Sequence, residues 1–223
     1  MVGTRLDLAV TIGVLSQFAA DLCPTHWESL KRVFRYIQGT RTHGIEFQVA
    51  SHNGLQGFLD TYWAGDTMSR KSTSCYALLI VSDCVSWKSK KTHTVALSST
   101  KAEYRAPLEA TQEAVWLKAF LCELGEMSFD TAVKIYEDNQ GSIALAKNPE
   151  HHKRTKHIDI RYHFVRETDE DGQAIFEYNI NVDMPADITT KSITTTQFCD
   201  LRGILRRSVK RTKFSCVNAS SRR

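Results

Sequence analysis

The sequence lacks the features that mark several common classes of protein. It has no run of apolar residues long enough to span a bilayer. Its six cysteines form no CxxC pair and no closely spaced framework, which argues against a disulfide scaffold. A chain of 223 residues can form a core without disulfides, so the thiols are predicted to be reduced and mostly buried. We therefore expect an intracellular location, cytoplasmic or nuclear, and no membrane partner.

Acidic residues are absent from the C-terminal end. No Asp or Glu follows Asp200, whereas eight basic residues do: Arg202, Arg206, Arg207, Lys210, Arg211, Lys213, Arg222 and Arg223. The net charge of the whole chain is only +4, so overall charge does not by itself indicate a nucleic-acid-binding protein. The basic end could hold phosphates, but a solvated, disordered tail over 206–223 is the prediction.

The apolar spacing changes from helical to β-type near residue 44. Before that point the pattern predicts a helix over 5–21 and a second from Pro24 to Gly39, which together form an N-terminal two-helix appendage. The second helix has an apolar stripe formed by Trp27, Leu30, Phe34 and Ile37. The two-helix appendage is expected to pack on the domain that begins near residue 44.

Short β-type runs, a long helix over about 100–124 and a strand–helix alternation to about residue 205 come next. The predicted strands are 45–49, 55–60, 75–81, 84–88, 94–97, 133–136 and 174–180. This order predicts an α/β or α+β fold, with a sheet packed by helices. The predicted units are a helical segment at 1–43, a domain at 44–205 and the basic tail at 206–223.

Four carboxylates fall where predicted strands end or helices begin: Asp60, Glu103, Asp138 and Asp187. A sheet can bring such positions together, and carboxylate oxygens are the ligands that Mg²⁺ prefers. Two such ions about 3.5–4 Å apart can activate a water and stabilise the leaving oxygen of a phosphodiester. Spacing alone leaves plainer explanations open, since Glu103 fits a capping box and the three aspartates fit turns, caps or first helical turns.

Five ordered motifs carry a family resemblance. They are GFLDTYWAGD at 57–66, SWKSKK at 86–91 with VALSSTKAEY at 95–104, YEDNQ at 136–140 with ALAKNP at 144–149, RTKHIDIRYHFVR at 154–166 and ADITTK at 186–191. Together they resemble the ribonuclease H domain of copia-type (Pseudoviridae) retrotransposon Pol polyproteins, and the likeness covers roughly residues 2–205. The helical segment at 1–43 is similar to the connection that precedes this domain.

The resemblance implies a ribonuclease H-like mixed five-stranded sheet flanked by helices. It implies hydrolysis of the RNA strand of an RNA–DNA hybrid, with two Mg²⁺ or Mn²⁺ ions and no small-molecule cofactor. Asp60 would bridge both ions, Glu103 and Asp138 would hold the ion on the scissile phosphate, and Asp187 the ion beside the attacking water. Selectivity would come from hybrid shape and 2′-hydroxyl contacts. The oligomeric state stays open.

Nucleic-acid contacts are predicted for nine residues: Trp87, Lys88, Lys90, Lys91, Asn139, Gln140, Arg154, Lys156 and His157. The group at 87–91 could lie against phosphates or form a solvated hairpin end. Asn139 and Gln140 could reach the minor groove or simply start a helix. The last three are predicted from the resemblance alone.

Two departures from the family favour an alternative. Pro107 has no amide to donate to the carbonyl of residue 103, and its ring presses on that carbonyl. In a helix interior this conflict costs about 3 kcal/mol or more, and it would fall on the turn that holds Glu103. Nothing before residue 55 carries a paired-aspartate polymerase signature, so the chain alone is not expected to copy RNA. The alternative is a catalytically degenerate remnant that binds nucleic acid without cleaving it.

Overall fold

The computed structural model describes residues 4–45, 47, 54–62, 71–81, 83–91, 105–140, 143, 156–179, 184–191 and 193–206. Several predicted features lie outside these residues: Glu103, Arg154, the strand at 94–97, most of the strand at 45–49 and nearly all of the tail. For Lys156 and His157 the backbone alone is described. Within these ranges no helix combines the length and apolarity needed to cross a bilayer.

Five strands form one mixed sheet. They are β1 (Leu55–Tyr62), β2 (Thr73–Ile80), β3 (Asp83–Lys91), β4 (Val133–Glu137) and β5 (Ala174–Tyr178). The order across the sheet is β3-β2-β1-β4-β5, with β1, β2 and β3 antiparallel and with β4 and β5 parallel to β1. Helices α3 (Arg105–Glu123) and α4 (Lys156–Glu170) make the crossovers that parallel neighbours require. The predicted mixed five-stranded sheet flanked by helices is confirmed.

Strand β2 is buried on both faces because two layers cover it. Every residue from 74 to 79 is buried. Tyr76 and Leu78 pack with residues of α3 on one face, whereas Ala77 and Leu79 pack with Ile188 on the other. This alternation results from the two-residue period of a strand. The second layer contains a 3₁₀ turn at Pro185–Thr189, called here the Asp187 turn, and the last helix α5 (Thr195–Arg206).

Gly57 allows the central strands to pack closely. A Cβ atom at this position would lie 3.0 Å from Cδ2 of Leu78 and 3.3 Å from Cγ1 of Ile135. Those side chains come from β2 and β4, the two neighbours of β1. A larger residue would therefore push apart the strands on either side of β1.

The N-terminal segment contains a 3₁₀ turn (Leu6–Leu8) and helices α1 (Ala9–Ser16) and α2 (Pro24–Gly39). The predicted start and end of α2 are confirmed, whereas α1 ends at Ser16 instead of near residue 21. The N-cap of α2 is Cys23, which forms a reciprocal capping box with His26.

The apolar stripe of α2 is only partly covered, since Leu30 and Ile37 are half-buried. Trp27 and Phe34 are 52% and 57% exposed, whereas Val33 is buried. The physical reason is a polar partner, since the hydroxyl of Tyr36 donates to Asp7 at 2.6 Å and turns this side of α2 inward.

A buried polar network joins the two ends of the described chain. Arg5 donates two hydrogen bonds of 2.9 Å to the carboxylate of Asp7, and it also bonds Thr40 at the end of α2. Arg202 of α5 donates to the hydroxyl of Tyr36 at 3.1 Å, and Tyr36 donates to Asp7. The N-terminal segment and the last helix are therefore joined through Tyr36, which Asp7 in turn holds.

The five described cysteines are free thiols, as predicted, and three of them are buried. We expect Cys23 to react first with a thiol reagent in the native protein, because its hydrogen bond with Thr25 lowers its pKa. Cys75 and Cys84 should stay unmodified, since burial raises the pKa of Cys75 well above its usual value and that of Cys84 to about 12. Timed alkylation with peptide mass spectrometry measures this order. Modification of Cys84 before Cys23 would contradict it.

Candidate active site

Two of the predicted acids lie at one edge of the sheet. Asp60 is in β1, and Asp138 directly follows β4. These strands are parallel, with Leu59 opposite Glu137, so the residues one step further along lie at the same edge. Lys134 comes earlier in β4 and lies away from that edge. The sequence offered this placement as one possibility, because both acids close strand-like runs.

Asp60 faces the layer that contains the Asp187 turn. Its partner across the sheet is Cys75 of β2, and directly opposed residues in a sheet share a face. The thiol of Cys75 lies 3.3 Å from the carbonyl oxygen of Ala186, to which it donates. The carboxylate of Asp60 therefore points toward the turn that contains Asp187.

The Asp187 turn is fixed to the sheet by polar contacts. The hydroxyl of Ser89 in β3 donates to the carbonyl oxygen of Thr189 at 2.6 Å. The hydroxyl of Thr190 donates to Oδ2 of Asp60. Asp187 itself is 2% exposed. The turn thus brings a third acid, distant in sequence, to the edge where Asp60 and Asp138 lie.

Lys191 lies among these carboxylates, and the sequence pattern did not single it out. Its Nζ is 2.8 Å from Oδ1 of Asp187 and 3.7 Å from Oδ2 of Asp60. Oδ1 of Asp187 nevertheless accepts no well-directed hydrogen bond, so the short contact is best described as an ion pair. The i, i+4 spacing of Asp187 and Lys191 is the sequence signal that could have identified it.

The pKa values in this region depend on the negative charges of three residues, called here the acid cluster: Asp60, Asp138 and Asp187. Burial and the charge of Asp60 raise the pKa of Asp138, with Lys191 opposing. Burial raises the pKa of Asp187 to about 6, with a further contribution from Asp60 and with Lys191 opposing. Burial of the Lys191 ammonium lowers its pKa, but the three carboxylates outweigh that effect and raise it overall. The charge of Asp60 thus contributes to the raised pKa of both Asp138 and Asp187.

The donor set suits a hard divalent cation. Carboxylate oxygens are the ligands that Mg²⁺ and Mn²⁺ take in proteins, and a buried oxygen of Asp187 lacks a directed hydrogen bond. In the described part of the chain, no three His, Cys, Asp or Glu side chains are arranged to hold a metal. Lys191 contacts two of the three acids here, and Glu103 lies outside the described residues. The residue types thus suit a divalent metal ion, but their side chains would have to rearrange when the ion binds.

The predicted basic strip divides between the two faces of β3. Trp87 packs partly against the core layer that contains Ile188. Lys88 instead pairs with Glu109 of α3 at 3.0 Å. Lys90 is exposed, and Lys91 donates to Gln17 of the N-terminal segment at 2.6 Å. A role of these side chains in binding nucleic acid stays a prediction.

The remaining predicted contacts lie next to the acid cluster or outside the described residues. Asn139 and Gln140 directly follow Asp138, and the amide of Ile143 donates to the carbonyl oxygen of Asn139 at 3.2 Å, as at the start of a helix. This hydrogen bond agrees with the interpretation that Asn139 and Gln140 begin a helix. It does not test whether they contact the minor groove. Pro107 is buried in the first turn of α3, and its effect on Glu103 stays a prediction.

The raised pKa of Asp187 predicts a pH dependence of stability without metal. A folded-state pKa of about 6, against an ordinary value of 3.8, means that the native protein holds this proton after the unfolded chain has lost it. The free energy of unfolding should therefore fall as pH rises from about 4 to about 6 and then level off. Urea titrations in chelator at pH 4 to 7 measure it. Asp187→Asn should remove this component, and a wild-type-minus-variant difference that is constant with pH would contradict it.

Comparison with known proteins places the chain in a family. No protein-family model matches it. It is 62% identical over 117 residues to a protein named secreted RxLR effector protein 161 from Plasmopara viticola, a match that covers 52% of this chain and 82% of that protein. It is 41% identical over 199 residues to the Pol polyprotein of transposon TNT 1-94 from Nicotiana tabacum. That match covers 89% of this chain and 15% of the polyprotein.

Among solved structures, the N-terminal RNase H domain of a Mycobacterium tuberculosis protein aligns with a TM-score of 0.45 and 10% identity, covering 67% of this chain and 96% of that one. The family assignment rests on the sequence relatives, and the chain spans only about one-seventh of the polyprotein's length. The resemblance found in the motifs is confirmed: this chain belongs to the family of copia-type retrotransposon Pol polyproteins.

Proposed function

We propose that this chain is a ribonuclease H domain that hydrolyses the RNA strand of RNA–DNA hybrids with the acids Asp60, Glu103, Asp138 and Asp187. The observation that supports this most strongly is the convergence of three acids from separate parts of the chain. Asp60 and Asp138 lie just beyond the last paired residues of two neighbouring parallel strands, and Lys191 links Asp60 to Asp187. Family membership supports the class of reaction, and the acid cluster supports the position of the active site.

Two divalent ions, Mg²⁺ or Mn²⁺, would supply the Lewis acidity that activates a water and stabilises the leaving oxygen. The protein's part is to hold oxygen ligands in place. Asp60 is fixed by the hydroxyl of Thr190 and lies near the ammonium of Lys191, which also contacts Asp187. Burial raises the pKa of Asp138 and of Asp187, and a bound divalent cation would oppose that effect because it favours the carboxylate form of both acids.

The hybrid would approach this edge of the sheet. In the β2–β3 pairing, Cys75 lies opposite Ser89, and Cys75 is also the partner of Asp60. Lys88 and Lys90 flank Ser89, so they are level with the acids along the outer strand but lie on the opposite face of the sheet, where Lys88 pairs with Glu109. Contacts from Lys88, Lys90 and the predicted segment that contains Arg154 would bind the phosphate backbone, which carries most of the affinity and none of the sequence selectivity.

A strand-labelled assay tests the proposal. The purified chain is mixed with an RNA–DNA hybrid, an RNA duplex and a DNA duplex of one sequence, with Mg²⁺ or with chelator. We expect cleavage of the RNA strand in the hybrid alone, and none in chelator. Binding of the hybrid without cleavage at any Mg²⁺ or Mn²⁺ concentration would instead support the degenerate, nucleic-acid-binding remnant.

A further inference from the structure

Lys191 places a positive charge among carboxylates that are proposed to bind metal ions. Its ammonium lies 2.8 Å from Asp187 and 3.7 Å from Asp60, whose side chains are only 3% and 5% exposed. The side chain of Lys191 is itself 30% exposed. The ion pairs thus join a partly solvated cation to two buried anions, at the point where the cluster needs positive charge.

We propose that Lys191 is an internal counter-cation that holds Asp60 and Asp187 in the absence of a divalent ion and is displaced from them when such an ion binds. This inference rests on the proposed function. One ammonium cannot neutralise three neighbouring carboxylates, whereas a divalent ion brings twice the charge and accepts several oxygen ligands. The Lys191 ammonium and a metal cannot both contact Oδ1 of Asp187 closely without mutual repulsion. Lys191 therefore lowers the affinity of the site for metal and stabilises the metal-free fold.

The backbone geometry suits this exchange. The amide of Lys191 donates to the carbonyl oxygen of Asp187 at 3.3 Å, so the end of the turn stays fixed. The flexible four-carbon stem can then carry the ammonium out to solvent while the turn keeps its shape. Displacement of Lys191 thus needs a change of side-chain rotamer alone.

Calorimetric titration of Mn²⁺ into metal-free protein tests the inference without a nuclease assay. We expect Lys191→Gln to bind Mn²⁺ on the order of tenfold more tightly than wild type, which corresponds to about 1.4 kcal/mol. The melting temperature of Lys191→Gln in chelator should be lower than that of wild type. Lys191→Arg, which keeps the charge, should bind Mn²⁺ about as weakly as wild type.

A matched control removes a different ion pair. Lys134 pairs with Glu177 at 2.9 Å on the surface of β4 and β5, outside the acid cluster. Lys134→Gln makes the same chemical change and should leave the Mn²⁺ affinity unchanged. A melting temperature that falls equally in both variants would contradict a special role of Lys191.

The outcomes separate this inference from the proposed function. If wild type binds Mn²⁺, Asp187→Asn does not, and Lys191→Gln binds no more tightly than wild type, the competition by Lys191 is refuted while the metal site stands. Equal affinities of Lys191→Arg and Lys191→Gln would refute it too, because charge would not be the cause. If neither wild type nor Lys191→Gln binds Mn²⁺, both the metal site and the inference fail.

Discussion

Replacing Asp138 with Asn is expected to reduce Mg²⁺-dependent cleavage of a hybrid by at least about 100-fold. Loss of a group that merely supports a metal ligand typically costs about 10- to 100-fold, so loss of a ligand should cost no less. The substitution keeps the shape of the side chain and removes the charge that would hold the ion. Initial rates on a strand-labelled hybrid, at saturating Mg²⁺, measure the effect.

The same change should not weaken the metal-free fold. Burial and the charge of Asp60 raise the pKa of Asp138, so its ionised form is disfavoured there, and the neutral amide removes that repulsion. Asp130, an exposed acid in the connection before β4, offers the matched control, since Asp130→Asn should leave both rate and stability unchanged. Undiminished cleavage by Asp138→Asn in a folded protein would refute the assignment of this acid.

The sequence could predict the position of the acids because the signals involved are local. Asp60 and Asp138 each close a strand-like run of the sequence, and in the structure the parallel pairing of β1 with β4 brings them to one edge of the sheet. Asp187 follows Pro185, which suits the first position of a helical turn. Each of these features involves a few neighbouring residues, but the spacing also fitted caps and turns, and the family resemblance was needed to favour a shared site.

Neither the position of Lys191 among the carboxylates nor the packing of α2 could be predicted from local sequence signals. The charge of Lys191 becomes informative only when Asp60, 131 positions earlier in the sequence, is known to lie 3.7 Å from its ammonium. For α2, hydrophobicity favoured the face of Trp27 and Phe34, but the tertiary partner is a carboxylate that Tyr36 reaches. A polar contact across the fold outweighed an apolar stripe, and the sequence pattern contains no signal for that contact.

Asp7→Ala is expected to lower the free energy of unfolding by about 3–5 kcal/mol, the usual cost of removing one partner of a buried ion pair. The side chain of Asp7 is 2% exposed and that of Arg5 13%, so solvent offers the remaining guanidinium little compensation. The change also takes away the acceptor of the Tyr36 hydroxyl. Urea-induced unfolding, monitored by far-UV circular dichroism in chelator, measures the loss. Glu28→Ala, which removes an exposed ion pair with Lys31, should have no measurable effect.

The shape of the Asp7→Ala unfolding curve also tests whether the helical segment at 1–43 is a separate unit. Leu6 lies in one buried cluster with Ile188 of the Asp187 turn and Leu205 of α5, so the N-terminal turn packs directly behind the acid cluster. If the segment is part of the domain, the variant should unfold in a single transition at lower urea and should bind Mn²⁺ more weakly, because the Asp187 turn loses support. If the helical segment instead unfolds first and the sheet then unfolds at the wild-type midpoint, a domain boundary lies near residue 44. The acid cluster would in that case not depend on Asp7.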